Sequence, residues 1–129
     1  MPTLEDVRRL AMALPGASER SGRTGAQWRV GERLFVWERP LRAREIEQLA
    51  GAVPQGTILG ARVEHLGAKE ALVAQPGDVY FTTPHFDGHP SILVRLEAIP
   101  PEELEELVAE AWLCRAPKRL AEEYLSGRA

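Results

Sequence analysis

Apolar positions recur at helical spacing near both ends of the chain, and at strand spacing between them. Leu4, Val7, Leu10, Ala11 and Leu14 share one face of a 3.6-residue period, which predicts an amphipathic helix docking on a core. Thr3 and Asp6 stand at its start as a capping-box pair, with Asp in place of Glu, and Pro15-Gly16 ends it. The polar segment Ala17–Gly25, rich in Ser, Gly and Arg, reads as a loop. Ala26–Val30 and Arg33–Glu38 follow, broken by Gly31-Glu32. Their aromatic and β-branched residues (Trp28, Val30, Phe35, Val36, Trp37) predict a β-hairpin. A two-residue period places Trp28 and Val30 on one face and Phe35 with Trp37 on one face of the partner strand. Arg29, Arg33 and Arg39 then fall on or beside the wetter face.

Pro40 stops that strand. Arg44–Ala50 predicts a short helix with Ile46, Leu49 and Ala50 inward, ended by Gly51 or by Pro54-Gln55-Gly56. Thr57–His65 reads as a strand, with adjacent apolar Ile58 and Leu59 pointing to burial on two sides. Ala68–Ala74 reads as a helix ending before Pro76-Gly77. Asp78–Thr82 and Ser91–Leu96 read as strands, joined by a loop, TTPHFDGHP, whose prolines and glycine exclude a helix. Leu104, Leu107, Val108, Ala111 and Trp112 form the stripe of a closing helix. Glu102, Glu103, Glu105 and Glu106 load its positive end. Pro117 interrupts it and starts a further turn or helix carrying Leu120 and Tyr124.

The resulting order, α-β-β-(α)-β-α-β-β-α, lacks regular βαβ alternation. It predicts an α+β fold of two layers: an antiparallel or mixed sheet with helices mainly on one face. At 129 residues the chain reads as a single domain, 1–129, with enough length for a core of its own. One cysteine, Cys114, excludes an internal disulfide and a Cys-rich metal site. No stretch has the apolar length of a membrane span, and the first residues lack a signal-peptide core, so a cytoplasmic protein without membrane contact is expected. Net charge is −3, but residues 1–44 carry nine arginines against five acids while the remainder is acidic. A partner can read that polarity.

Four stretches together resemble the MmcQ/YjbR-like family of small bacterial proteins: WRVGERLFVWERP, FTTPHFDGHP, SILVRL and the ending AWLCRAPKRL. The resemblance spans nearly the whole chain, and its most specific parts are Phe81–Pro90 and Ala111–Leu120. It implies a compact α+β fold related to type III secretion chaperones. It also implies strand hairpins likened to a double wing, the analogy behind the family's DNA-binding label. No catalytic motif comes with it. A basic wing would gain from lysines, yet Lys69 and Lys118 are the only two.

Three candidate surfaces follow. Arg29, Arg33, Arg39, Arg42 and Arg44 can neutralise phosphates, with Trp28 and Trp37 as stacking platforms for bases if they face solvent. Against this, both tryptophans suit a core, and the arginines suit a solvated face paired with glutamates. A second surface is a ligand pocket around Trp37, Thr82, His85, Asp87, His89 and Arg95. His85, Asp87 and His89 hold metal-ligand chemistry, but they share one loop and His65 is the only other histidine, so neither metal nor cofactor is expected. The third is a protein- or peptide-binding surface, which requires an exposed apolar patch. Catalysis is not expected: Ser91 and Cys114 lack a nucleophile signature, and GARVEHLGAK lacks phosphate-loop spacing. The sequence therefore reads as a binding module, first of all for weak DNA binding through the arginine-bearing hairpin, with a protein or peptide partner, or a small-ligand or metal pocket around His85, Asp87 and His89, as the alternatives.

Overall fold

The computed structural model describes residues 1–51, 54 and 56–127. They form five α-helices and one sheet in the order α1 (Leu4–Met12), β1 (Ala17–Gly22), β2 (Gly25–Val30), β3 (Arg33–Glu38), α2 (Ala43–Gln48), β4 (Ile58–Arg62), α3 (Leu66–Val73), β5 (Tyr80–Phe81), β6 (Ser91–Arg95), α4 (Pro101–Arg115) and α5 (Lys118–Gly127). A turn of 3-10 helix, Pro84–Phe86, lies between β5 and β6. The strands run β1-β2-β3-β4-β6-β5 across the sheet and every pairing is antiparallel. This is the α+β architecture that the sequence pattern implies.

One face of the sheet carries the main core. The five-residue stripe of α4 is buried there beside Val7, Ala11 and Leu14 of the α1 end, against Trp28, Val36, Leu59, Ala61, Ile92 and Val94. Thr3 and Asp6 close the capping box at α1 as expected, Asp6 accepting from the Thr3 amide at 2.8 Å. The Trp112 indole is fully buried and donates to the Pro15 carbonyl at 3.0 Å, while Tyr124 of α5 packs on its ring at 5.0 Å. The opposite face carries a smaller cluster: Ile58, Leu93 and Phe86, with Trp37, Leu41 and Phe81 around them. It is only partly roofed, by α2 and the 3-10 turn.

Three local expectations fail, each for a physical reason. Ala17–Gly22 is a strand, not a loop. It pairs only with β2, and its Ser, Glu and Arg side chains suit an edge that faces water. That strand also supplies Glu19, which accepts from the buried Trp28 indole at 2.9 Å and from Arg8 at 2.7 Å. Phe35 and Trp37 do not share a face. Trp28 faces Val36 but Arg29 faces Leu34, so Phe35 is the extra residue of a bulge. Phe35 and Val36 both enter the main core, and Trp37 turns to the other side. Finally, α2 does not bury Ile46, which is exposed, and Ala50 faces water as well. Its buried side chain is Glu45. The helix closes at Leu49, ahead of the expected stops, of which Gln55 lies outside the described residues.

Candidate anion cleft on the second face of the sheet

The loop Thr82–Pro90 is held from two directions by buried charge. From α3, the Lys69 ammonium donates to the carbonyls of Phe86 at 2.6 Å and His89 at 3.0 Å. Lys69 is only 7% exposed, and burial depresses its pKa against the opposing pull of Asp87. α3 is itself started by His65, whose Nδ1 accepts from the Ala68 amide at 3.0 Å. From α2, Glu45 accepts from the Thr83 hydroxyl at 2.7 Å and from the Arg42 amide at 2.9 Å. Its oxygens also meet Arg39 at 2.9 and 3.0 Å, a two-point guanidinium–carboxylate pair, and the Arg39 guanidinium lies 5.2 Å from the Phe86 ring centroid. Burial pushes the Glu45 carboxyl up, but the bonds from Arg42, Thr83 and Arg39 outweigh it and hold the group below its ordinary range. Gly88, at φ 77, takes the left-handed backbone that turns the loop back toward β6.

So anchored, the loop edges a cleft of about 240 Å³ on the sheet's second face. Leu34 and Trp37 come from β3, Arg62 from the end of β4, and Ser91 from the facing start of β6. His85 and His89 reach it from the loop, and Arg115 from the last turn of α4. Trp37 lies across Gly60 so closely that a Cβ there would stand 2.2 Å from the indole. Glycine is what allows the indole to lie against the backbone.

The electrostatics of this cleft are one-sided. Arg33, Arg62 and Arg115 form no ion pair with any described residue. The Nε atoms of Arg62 and Arg115 are closed to solvent and hydrogen-bonded to no described residue. Burial, and then the fields of Arg62 and Arg33, pull the Arg115 guanidinium below its ordinary pKa. Among the described lining residues there is no carboxylate.

Of the ligand residues expected from sequence, Trp37, His85 and His89 come together here. Thr82, Asp87 and Arg95 do not: Asp87 faces solvent, and Arg95 donates to the Asp78 carbonyl at 3.3 Å. No group of three His, Cys, Asp or Glu side chains suited to a metal exists among the described residues. Of the nucleic-acid candidates, Arg39 is removed by its buried pair with Glu45. Arg29 is turned inward to the Glu32 carbonyl and the Gln27 amide oxygen, both at 2.9 Å. Arg33, Arg42 and Arg44 are exposed. Trp28 is fully buried and offers no stacking surface. Arg62 and Arg115 were not among the residues singled out from sequence, and Ser91 was weighed there only as a nucleophile. The Arg62–Ser91 pairing depends on strand register, which periodicity alone does not give.

A family model, YjbR, matches residues 12–114. The chain belongs to the YjbR family. An uncharacterized protein of Mycobacterium bovis and one of Mycobacterium tuberculosis are each 48% identical to this YjbR protein over 129 residues, covering 98% of both chains. A solved structure, that of a Deinococcus radiodurans protein with a DUF419 domain, superposes with a TM-score of 0.65 at 21% identity. It covers 88% of this chain and 78% of that one, and shows the shared fold. No helix among the described residues is long and apolar enough to cross a membrane.

Proposed function

We propose that this YjbR protein is a non-enzymatic binding module that takes a small phosphate-bearing ligand in the cleft between the His85–His89 loop and β3. The observation that carries this reading is that Arg62 and Arg115 line the cleft, within the field of Arg33, with no carboxylate among the described lining residues. Like charges held together in a partly desolvated site repel, and a bound dianion relieves that repulsion while accepting charge-assisted hydrogen bonds. Trp37 and Leu34 supply an apolar floor, and the cleft is small against the ~300–1,000 Å³ of ordinary ligand sites. A phosphoryl group on one planar ring therefore suits it. Among the described residues no carboxylate bonds to His85 or His89 to orient it, which favours binding over acid–base catalysis.

Phenyl phosphate tests the reading by calorimetry and by tryptophan fluorescence. Trp28 and Trp112 are fully buried, so Trp37 is the responsive indole. Saturable binding tighter than that of inorganic phosphate, weakened at least about tenfold by Arg115→Ala, is expected. No saturable binding at low ionic strength overturns it. A second reading keeps nucleic acid as the ligand, because Arg33 extends the cluster to the β2–β3 turn, and Arg42 and Arg44 stand exposed past the other end of β3, at the start of α2. Binding of a labelled single strand that falls steeply with salt, and is lost in Arg33→Ala/Arg115→Ala, supports that form. Retained binding refutes it.

A further inference from the structure

α3 and α4 stand apart across a groove of about 600 Å³, on a different part of the molecule from the Trp37 cleft, with Arg62 reached from both. The α3 wall is small and apolar: Ala68, Ala71 and Leu72 recur at helical spacing and leave room between the helices. The α4 wall is Glu103, Glu106, Leu107 and Glu110, also one helical face. Glu64 adds a further carboxylate at the rim. None of these four glutamates forms an ion pair with a described residue. The groups inside feel this field. The Tyr80 hydroxyl donates to Glu103 at 2.6 Å, and burial, then Glu103, Glu106 and Glu110, push its pKa up. The Cys114 thiol is raised by burial and then by Glu64 and Glu110.

We infer that this groove docks a cationic amphipathic helix of a partner protein. Apolar side chains of that helix fill the space over Ala68, Ala71 and Leu107, and its Lys or Arg residues meet Glu64, Glu106 and Glu110. Charge complementarity decides the occupant. Four carboxylates without an ion-pair partner outnumber the single Arg62 at the groove, and a second apolar surface of neutral or acidic character gains nothing from that excess. A bare small cation leaves the apolar wall wet. The eight residues of α3 run about 12 Å, enough for two turns of a bound helix.

The test uses the full chain and a fluorescein-labelled peptide of about 14 residues, Leu on one face and Lys on the other. A scrambled peptide of the same composition and a Glu-for-Lys version serve as controls. Three outcomes are expected. The Lys peptide binds saturably and the scrambled one at least about tenfold more weakly. Ala71→Gln, which puts a neutral side chain into the groove from an exposed position, weakens binding at least about tenfold. Glu106→Lys/Glu110→Lys abolishes binding of the Lys peptide and creates binding of the Glu peptide. Melting curves establish that the exposed substitutions leave the fold intact. Equal binding of the scrambled peptide overturns the proposal, as general attraction to an acidic surface. So does insensitivity to Ala71→Gln, which places the peptide in the neighbouring groove between α1, α4 and α5. Concentration-dependent dimerisation blocked by the same variants makes the occupant a second copy of this chain and overturns it equally.

Discussion

Replacing Glu45 by alanine removes one side chain and strands three partners. Arg39, 5% exposed, loses both contacts of its ion pair, and the Thr83 hydroxyl and Arg42 amide lose their acceptor. Breaking a buried pair from one side costs about 3–5 kcal/mol, because the remaining charge stays desolvated. Against a typical total of about 5–15 kcal/mol this is a large share. At roughly 4 °C per kcal/mol for a chain of this length, melting should fall by about 12–20 °C. Urea unfolding followed by circular dichroism should show a lower midpoint at unchanged slope. The double variant Arg39→Met/Glu45→Leu should cost well under the sum of the two single changes, since no lone charge is left behind. A loss below about 1 kcal/mol for Glu45→Ala, or strict additivity in the double variant, would refute the claim that the pair is desolvated. The pH dependence has a definite sign. The folded carboxyl titrates below its ordinary 4.5. The unfolded chain therefore takes up the proton first, and stability falls as pH drops below about 4.5 through the folded value. That part of the acid slope should be missing in Glu45→Ala.

Lys69→Met should leave the Phe86 and His89 carbonyls without their donor, at about 1–3 kcal/mol. Amide exchange across Phe86–Ser91 should quicken and phenyl phosphate binding weaken, both measurable on the same sample. Gly60→Ala should force the Trp37 indole off the sheet, costing about 1–3 kcal/mol, with a shifted emission maximum and a lost cleft floor. An unchanged spectrum would refute the placement of Trp37. Trp112→Ala should cost about 3–5 kcal/mol. It should also loosen α5, which would be read as faster exchange around Tyr124.

The helices were the legible part of this sequence, because burial of one face writes itself into spacing. All five stripe residues of α4 are buried, and the expected turn after Pro117 is α5. Strand faces were legible only up to the bulge: Trp28 and Val30 share the core face as expected, but one extra residue at Phe35 sent Trp37 to the opposite side. Arg39 looked like a solvated cation because it sits between a strand end and Pro40. Its burial is decided by Glu45, which helical periodicity assigned to the outside in favour of Ile46. The cleft was half legible. Trp37, His85 and His89 stood out by type and local clustering, whereas Arg62 and Arg115 enter through strand register and helix length, which are properties of the assembled fold.

The burial of Lys69 has a practical consequence for handling the molecule. Of the two lysine amines, Lys69 is committed to backbone carbonyls inside the fold and Lys118, at 92% side-chain exposure on α5, stands in water. A lysine-directed dye, biotin or surface linkage therefore selects Lys118. Lys118 lies three residues beyond Arg115, which lines the Trp37 cleft, so such a tether attaches close to that cleft. The chain thus comes with one addressable lysine, a single defined position for a label or a surface linkage.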